Sequence, residues 1–157
     1  MLLRASSIVA MIACGSHLGD LQVASAQARA GGAAEDPCRF ATADVVSNAF
    51  GRQLQSSKLT DVCQYKGAAG ELVVVQVKAG PEGTIVRHLR TTTAQGNKFG
   101  AEKLTTKVGE AYYDGVAPVF AGRVGNYDVQ VGTTIEPVPR AALIAVGTRI
   151  LEGLAGK

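Results

Sequence analysis

Three cysteines (Cys14, Cys38 and Cys63) and two histidines (His17 and His88) are the groups of this chain most suited to covalent or metal chemistry. Cys38 and Cys63 lie far apart, so they form no C-x-x-C redox motif. Two cysteines and one histidine also fall short of the four ligands a structural zinc ion takes, so no metal or cofactor is expected. An even pair of thiols in a chain that enters an oxidising compartment is read as a disulfide, Cys38–Cys63. A Cys–His nucleophile needs a free thiolate, which that bond removes. With no G-x-S-x-G segment, His88 would have to recruit an ordinary serine, and the scattered acids show no spacing that favours a carboxylate pair. His88 therefore reads as a solvent-facing residue of a helix, and no catalytic residue is assigned.

The oxidising compartment is itself read from the first residues. Arg4 precedes the apolar run Ala5–Ala13, which has the length of a signal-peptide core and is too short to span a bilayer. Two cleavage readings stay open. One cuts after the small-residue stretch "ASAQA" and makes residues 1–28 a signal peptide, followed by a linker over 29–37. The other reads "MIAC", Met11–Cys14, as a lipobox and makes Cys14 a candidate lipid attachment. Either way Cys14 is withdrawn from the thiols, and the expected location is extracytoplasmic: secreted, periplasmic or attached to the cell envelope.

Two stretches could bind anions. "GPEGT", Gly80–Thr84, joins a strand to a helix as a phosphate-binding loop does, but it lacks the G-x-x-x-x-G-K-[ST] pattern, and Glu82 would occupy the anion's place. It reads as a turn. Arg87, Arg90, Lys98, Lys103 and Lys107 form the densest basic cluster, opposed nearby only by Glu102, and make a candidate partner surface. Tyr112 and Tyr113 are adjacent and on a strand point to opposite sides. One is expected in the core, and the other, with Phe120, is expected to line a pocket or an interface. The whole chain has 16 basic and 13 acidic residues, a net charge of +3, and no Trp. That excess is too small for a nucleic-acid binder, and so few aromatics argue against a base-stacking or flat carbohydrate platform.

The elements that must carry these residues follow from periodicity. Residues 38–156 read as one α+β domain. Thr42 is placed to cap a helix that Gly51 ends, with Val46 and Phe50 inward. "DVCQYKG" and "ELVVVQVKA" alternate around "GAAG" as a hairpin. "TIVRHLRTTTAQ" reads as a helix with Ile85 and Leu89 inward. "PVFAGRV" and "YDVQVGT" make a second hairpin around Gly125–Asn126. Leu143, Val146, Gly147, Ile150, Leu151 and Leu154 form the stripe of a final helix. "DVCQY–VVVQV" before a helix is echoed by "EAYYD–YDVQV" before another, a weak β-β-α repeat. The expected fold is a two-layer sandwich, with an antiparallel sheet from two hairpins, helices on one face and the order α-β-β-α-β-β-α.

From Cys38 to Val131 the frame "C…AFG…CQY…VVVQV…VGEAYY" resembles the family of secreted actinobacterial lipoproteins of unknown function with two spaced cysteines. The resemblance rests on Cys38 before a helix ending in Gly, on Cys63 and Tyr65 in a C-x-aromatic strand, and on Gly109, Glu110, Ala111 and Tyr112 ahead of the second hairpin. It implies an envelope location and a Cys38–Cys63 disulfide, and it brings no catalytic residue. The expected function is a non-catalytic exported domain that binds an envelope protein or a small apolar ligand. It would take no nucleic acid and meet a membrane only through Cys14. An enzyme without a readable motif and an inhibitor-like secreted module are the alternatives.

Overall fold

The computed structural model describes residues 35–96 and 100–157. The expected signal peptide, Cys14, His17, most of the expected linker and Lys98 lie outside the described residues. The elements are α1 (Pro37–Phe40), α2 (Ala43–Phe50), β1 (Leu54–Leu59), β2 (Val62–Gly67), β3 (Leu72–Ala79), α3 (Thr84–Ala94), β4 (Ala101–Leu104), β5 (Glu110–Asp114), β6 (Val119–Val124), β7 (Tyr127–Thr133) and α4 (Arg140–Ala155). All strands pair antiparallel in one seven-stranded sheet of order β1-β2-β3-β7-β6-β5-β4.

The α+β class holds, and both expected hairpins are present as β2–β3 and β6–β7. The expected order is corrected by extra elements. "LQSSKL" is a strand, β1, although it has neither alternation nor β-rich composition. It is imposed by a two-residue turn, where Thr60 adopts φ 44° and returns the chain into β2. A helical turn, α1, also precedes α2, capped by the Asp36 carboxylate on the Cys38 N–H. Ahead of Cys38, Glu35 pairs with Lys157.

Placing all helices on one face is also corrected. On β5, Tyr113 joins the main core with α1, α2 and α4, whereas Tyr112 joins a second cluster with Val86 and Leu89 of α3. Phe120 and Ala121 of β6 divide in the same way. Helix α3 therefore covers the opposite face, and only over β4–β6. That half of the molecule has three layers and the β1–β3 half has two. The rotation of α3 differs from expectation as well: Val86 and Leu89 are buried, while Ile85 is 37% exposed.

Of the repeat read in the sequence only the "VQV" segments correspond, because β2 pairs with β3 whereas β6 separates β5 from β7. Gln76 of β3 lies opposite Gln130 of β7, flanked by Val75↔Val131 and Val77↔Val129. The two "VQV" segments are thus related by an approximate two-fold axis through the sheet. The following helices do not share the symmetry, because α3 and α4 lie on opposite faces.

The N-terminal helices are fastened to this sheet at two points two residues apart. Cys38 and Cys63 form a disulfide with a Cα–Cα distance of 5.2 Å. The buried Tyr65 hydroxyl donates to the Ala41 carbonyl, and burial pushes that phenol well above its usual range. The C-x-aromatic pattern therefore joins α1 and the turn after it to β2.

Candidate functional site

Helix α3 is held over the sheet by charges at its start and on its outer flank. At its N-terminus the Asp128 carboxylate, 5% exposed, accepts from the Gly83 N–H and from Arg123, whose second nitrogen donates to the Gly80 carbonyl at 3.0 Å. The chain thus places its own carboxylate at the N-cap residue of α3, bonded to the Gly83 N–H, within the turn formed by "GPEGT". Farther along, Arg90 donates to Glu110 at 2.9 Å and pairs with Glu82. Tyr112 donates to Glu110 at 2.8 Å. The Arg90 guanidinium, helped by the Tyr112 hydroxyl, holds the Glu110 carboxyl below the usual carboxylate range. Burial and the adjacent carboxylate push Tyr112 upward.

This network revises the expected basic surface. Arg87 and Arg90 are both matched by Glu82, and Arg90 by Glu110 as well, so the patch is charge-balanced there. Arg90, Lys103 and Tyr112 do come together, around a hollow of about 390 Å³ between α3 and β4. Lys107 is exposed in the β4–β5 connection and stands apart from it. Tyr113 is the tyrosine of the pair that lies in the main core, and Phe120 lies there with it. Tyr113 is buried under Arg140, which lies 5.2 Å from its ring centre, and Phe120 is 0% exposed against Gly147. Both inner rows of β5 and β6 are core because both faces of those strands are covered.

A larger cleft, about 580 Å³, opens on the other flank of α3. His88, Thr91, Thr92 and Gln95 line it from the helix, and Asp114 and Val116 from the β5–β6 turn. The turn is fixed locally. Asp114 Oδ1 accepts from the N–H groups of Val116 at 2.8 Å and Ala117 at 3.2 Å, and the Gly115 N–H donates to the Gly100 carbonyl at 3.1 Å. Val116 is held at the rim with 76% of its surface exposed.

The threonine hydroxyls donate to backbone carbonyls one turn back, Thr91 to Arg87 and Thr92 to His88, each at 2.9 Å. Their protons are committed to the helix, and no described base activates either oxygen. His88 is exposed, as expected, and shares the cleft with Asp114 without a hydrogen bond between them among the described residues. The groups offered are an imidazole, an amide, a carboxylate oxygen and the apolar rim of Val116. Among the described residues these groups are not linked to one another by side-chain hydrogen bonds.

No protein-family model, no curated protein and no solved structure matches the chain. The site therefore stands on its own geometry. Gln95, Asp114 and Val116 were not legible as site residues, because each has an ordinary local reading: a helix end, a turn acid and a loop apolar residue. Only the α3 crossover from β3 to the far edge brings them together.

Proposed function

We propose that this chain is an exported, non-catalytic binding domain that holds a small, largely apolar ligand in the cleft between α3 and the β5–β6 turn. The observation that carries this reading is the cleft itself. Its volume of about 580 Å³ falls within the range of small-molecule sites, its wall is more apolar than polar, and a few polar groups from two fixed elements converge on it. The Cys38–Cys63 disulfide supports an extracytoplasmic location, with residues 1–28 as the leader. No helix among the described residues is long and apolar enough to cross a membrane. The resemblance to secreted lipoproteins of unknown function belongs to the same reading.

Native mass spectrometry of the protein recovered from an envelope extract tests the proposal. The expected result is a retained small mass. Isothermal titration with that compound should show Val116→Asp weakening binding by about tenfold or more, about 1.4 kcal/mol, with unchanged thermal stability. Turnover of the compound, or capture only of a protein that Val116→Asp still binds, overturns the reading.

A further inference from the structure

The sheet has two outer strands, and they are protected differently. β4 has only four residues, and Glu102 and Lys103 are exposed on it. Short strands and charges of both signs are the usual guards of an edge. β1 has six residues, of which all but Leu54 are exposed. Its one charge, Lys58, is already paired with Asp36 at 2.9 Å.

The backbone of β1 shows which groups its edge offers. The Leu54 N–H donates to Ser47 Oγ at 3.0 Å, and the Leu54 carbonyl accepts from the same hydroxyl at 3.4 Å. Both Leu54 groups therefore point away from β2. The two-residue period of a strand sends the N–H and carbonyl groups of Ser56 and Lys58 the same way. No partner meets those groups among the described residues. Ser47 thus closes the first outward position and leaves two adjacent ones open.

We infer that the β1 edge pairs antiparallel with β1 of a second copy of this chain, with Ser57 on the two-fold axis. Self-complementarity and charge select this arrangement. Centring on Lys58 opposes two like charges, which is unfavourable. Centring on Ser56 calls on the Leu54 groups that Ser47 already holds. Centring on Ser57 sets Ser56 of each copy opposite Lys58 of the other, so both open positions of both strands are filled. It also sets Gln55 opposite Leu59, a leucine left 52% exposed in the single copy. The two sheets become one, and their uncovered faces join at Gln55, Ser57 and Leu59, the β1 residues on the side of Val62 and Gln64.

Cross-linking and sedimentation velocity test this on the protein as it exists, with its Cys38–Cys63 bond intact. Non-hydrogen-bonded antiparallel partners lie about 4.5 Å apart, within disulfide reach. Ser57→Cys should therefore form a covalent dimer about tenfold faster than Ser56→Cys, whose copies are offset along the strands. In sedimentation, the unmodified chain should move towards dimer as concentration rises. Ser57→Lys, on an exposed position, should stay monomeric while keeping the thermal midpoint that the unmodified chain shows at dilutions where it too is monomeric. A monomer throughout, a dimer indifferent to Ser57→Lys, or equal cross-linking at the two positions overturns the inference. Preferential pairing of β1 with an extended peptide from another protein overturns it too.

Discussion

The strands β1–β2–β3 and β4–β5–β6 are both antiparallel meanders of one sheet, yet they are stabilised by different means. The second set is enclosed between α3 and α4. Small residues let the helices approach on both sides: Ala101 and Ala121 under α3, Ala111 and Gly122 towards α4. Tyr112, Tyr113 and Phe120 fill the remaining volume. The first set has helices on one face only, and its far face is a half-exposed row of Val62, Gln64, Val74 and Gln76. Less apolar surface is removed from water there. In that half the chain adds a covalent bond and the buried Tyr65 hydrogen bond instead. The difference shows how a small domain can leave one sheet face accessible: cross-linking substitutes for the missing layer.

Removing the cross-link is the strongest way to break that comparison. The Cys38–Cys63 bond closes a loop with a sequence separation of 25, and on the chain-entropy account its loss costs about 3.5 kcal/mol. Urea unfolding of Cys38→Ser/Cys63→Ser should show that loss. Hydrogen exchange should rise first in β1 and β2 while β5 and β6 stay protected. A uniform rise across all strands would mean that the two halves open as one unit and that their separate fastenings have no separate consequence.

The enclosed half is challenged at Gly147. In an exposed helix Gly→Ala gains about 1 kcal/mol of helix propensity. Here an added methyl would enter the Phe120 ring, which is itself fully buried between α4 and the sheet. Gly147→Ala should therefore reverse the sign and destabilise by about 2 kcal/mol in urea unfolding. Trimming the ring in Gly147→Ala/Phe120→Leu should recover part of it. If the single change stabilises, α4 has room to move and the close packing of this half is not what fixes it.

How far the sequence reveals these two halves depends on where each signal resides. The α2 caps, the α4 stripe, the β2–β3 and β6–β7 hairpins and the disulfide were legible, because each rests on local spacing or on a count of thiols. β1 was not: "LQSSKL" is a strand because β2 lies beside it, and no local preference says so. The second face was hidden for a related reason. "EAYYD" and "FAGRV" bury both alternate rows, and nothing in a short apolar stretch tells whether one or two layers cover it. Misreading α3 by one position, Ile85 for Val86, follows from the same omission. The charge balance within the basic cluster was hidden by topology, since Glu110 pairs with Arg90 from 20 residues away. His88 was readable as an exposed helix residue, but the cleft around it required the crossover that brings Asp114 and Val116 alongside.

The smallest expected effect is electrostatic and belongs to the enclosed half alone. Arg90 and Tyr112 favour the ionised form of Glu110 in the folded chain, so its folded pKa lies below its unfolded one, about 4.3 for an ordinary Glu. A group lowered in this way contributes stability that is fully present above the unfolded pKa and is lost as pH falls through the folded value. Arg90 is 44% exposed, so solvent screening limits the contribution to about 1 kcal/mol or less. Urea midpoints compared at pH 7 and below pH 4 should show Glu110→Gln destabilising at the higher pH and nearly neutral at the lower. Asp36, also held below the usual carboxylate range by its hydrogen bond from Lys58, belongs to the other half. Asp36→Asn in the same comparison separates the two. If Glu110→Gln leaves the pH dependence unchanged and only Asp36→Asn alters it, acid sensitivity resides in the stapled half, and α3 is held over β4–β6 by Val86 and Leu89 rather than by charge.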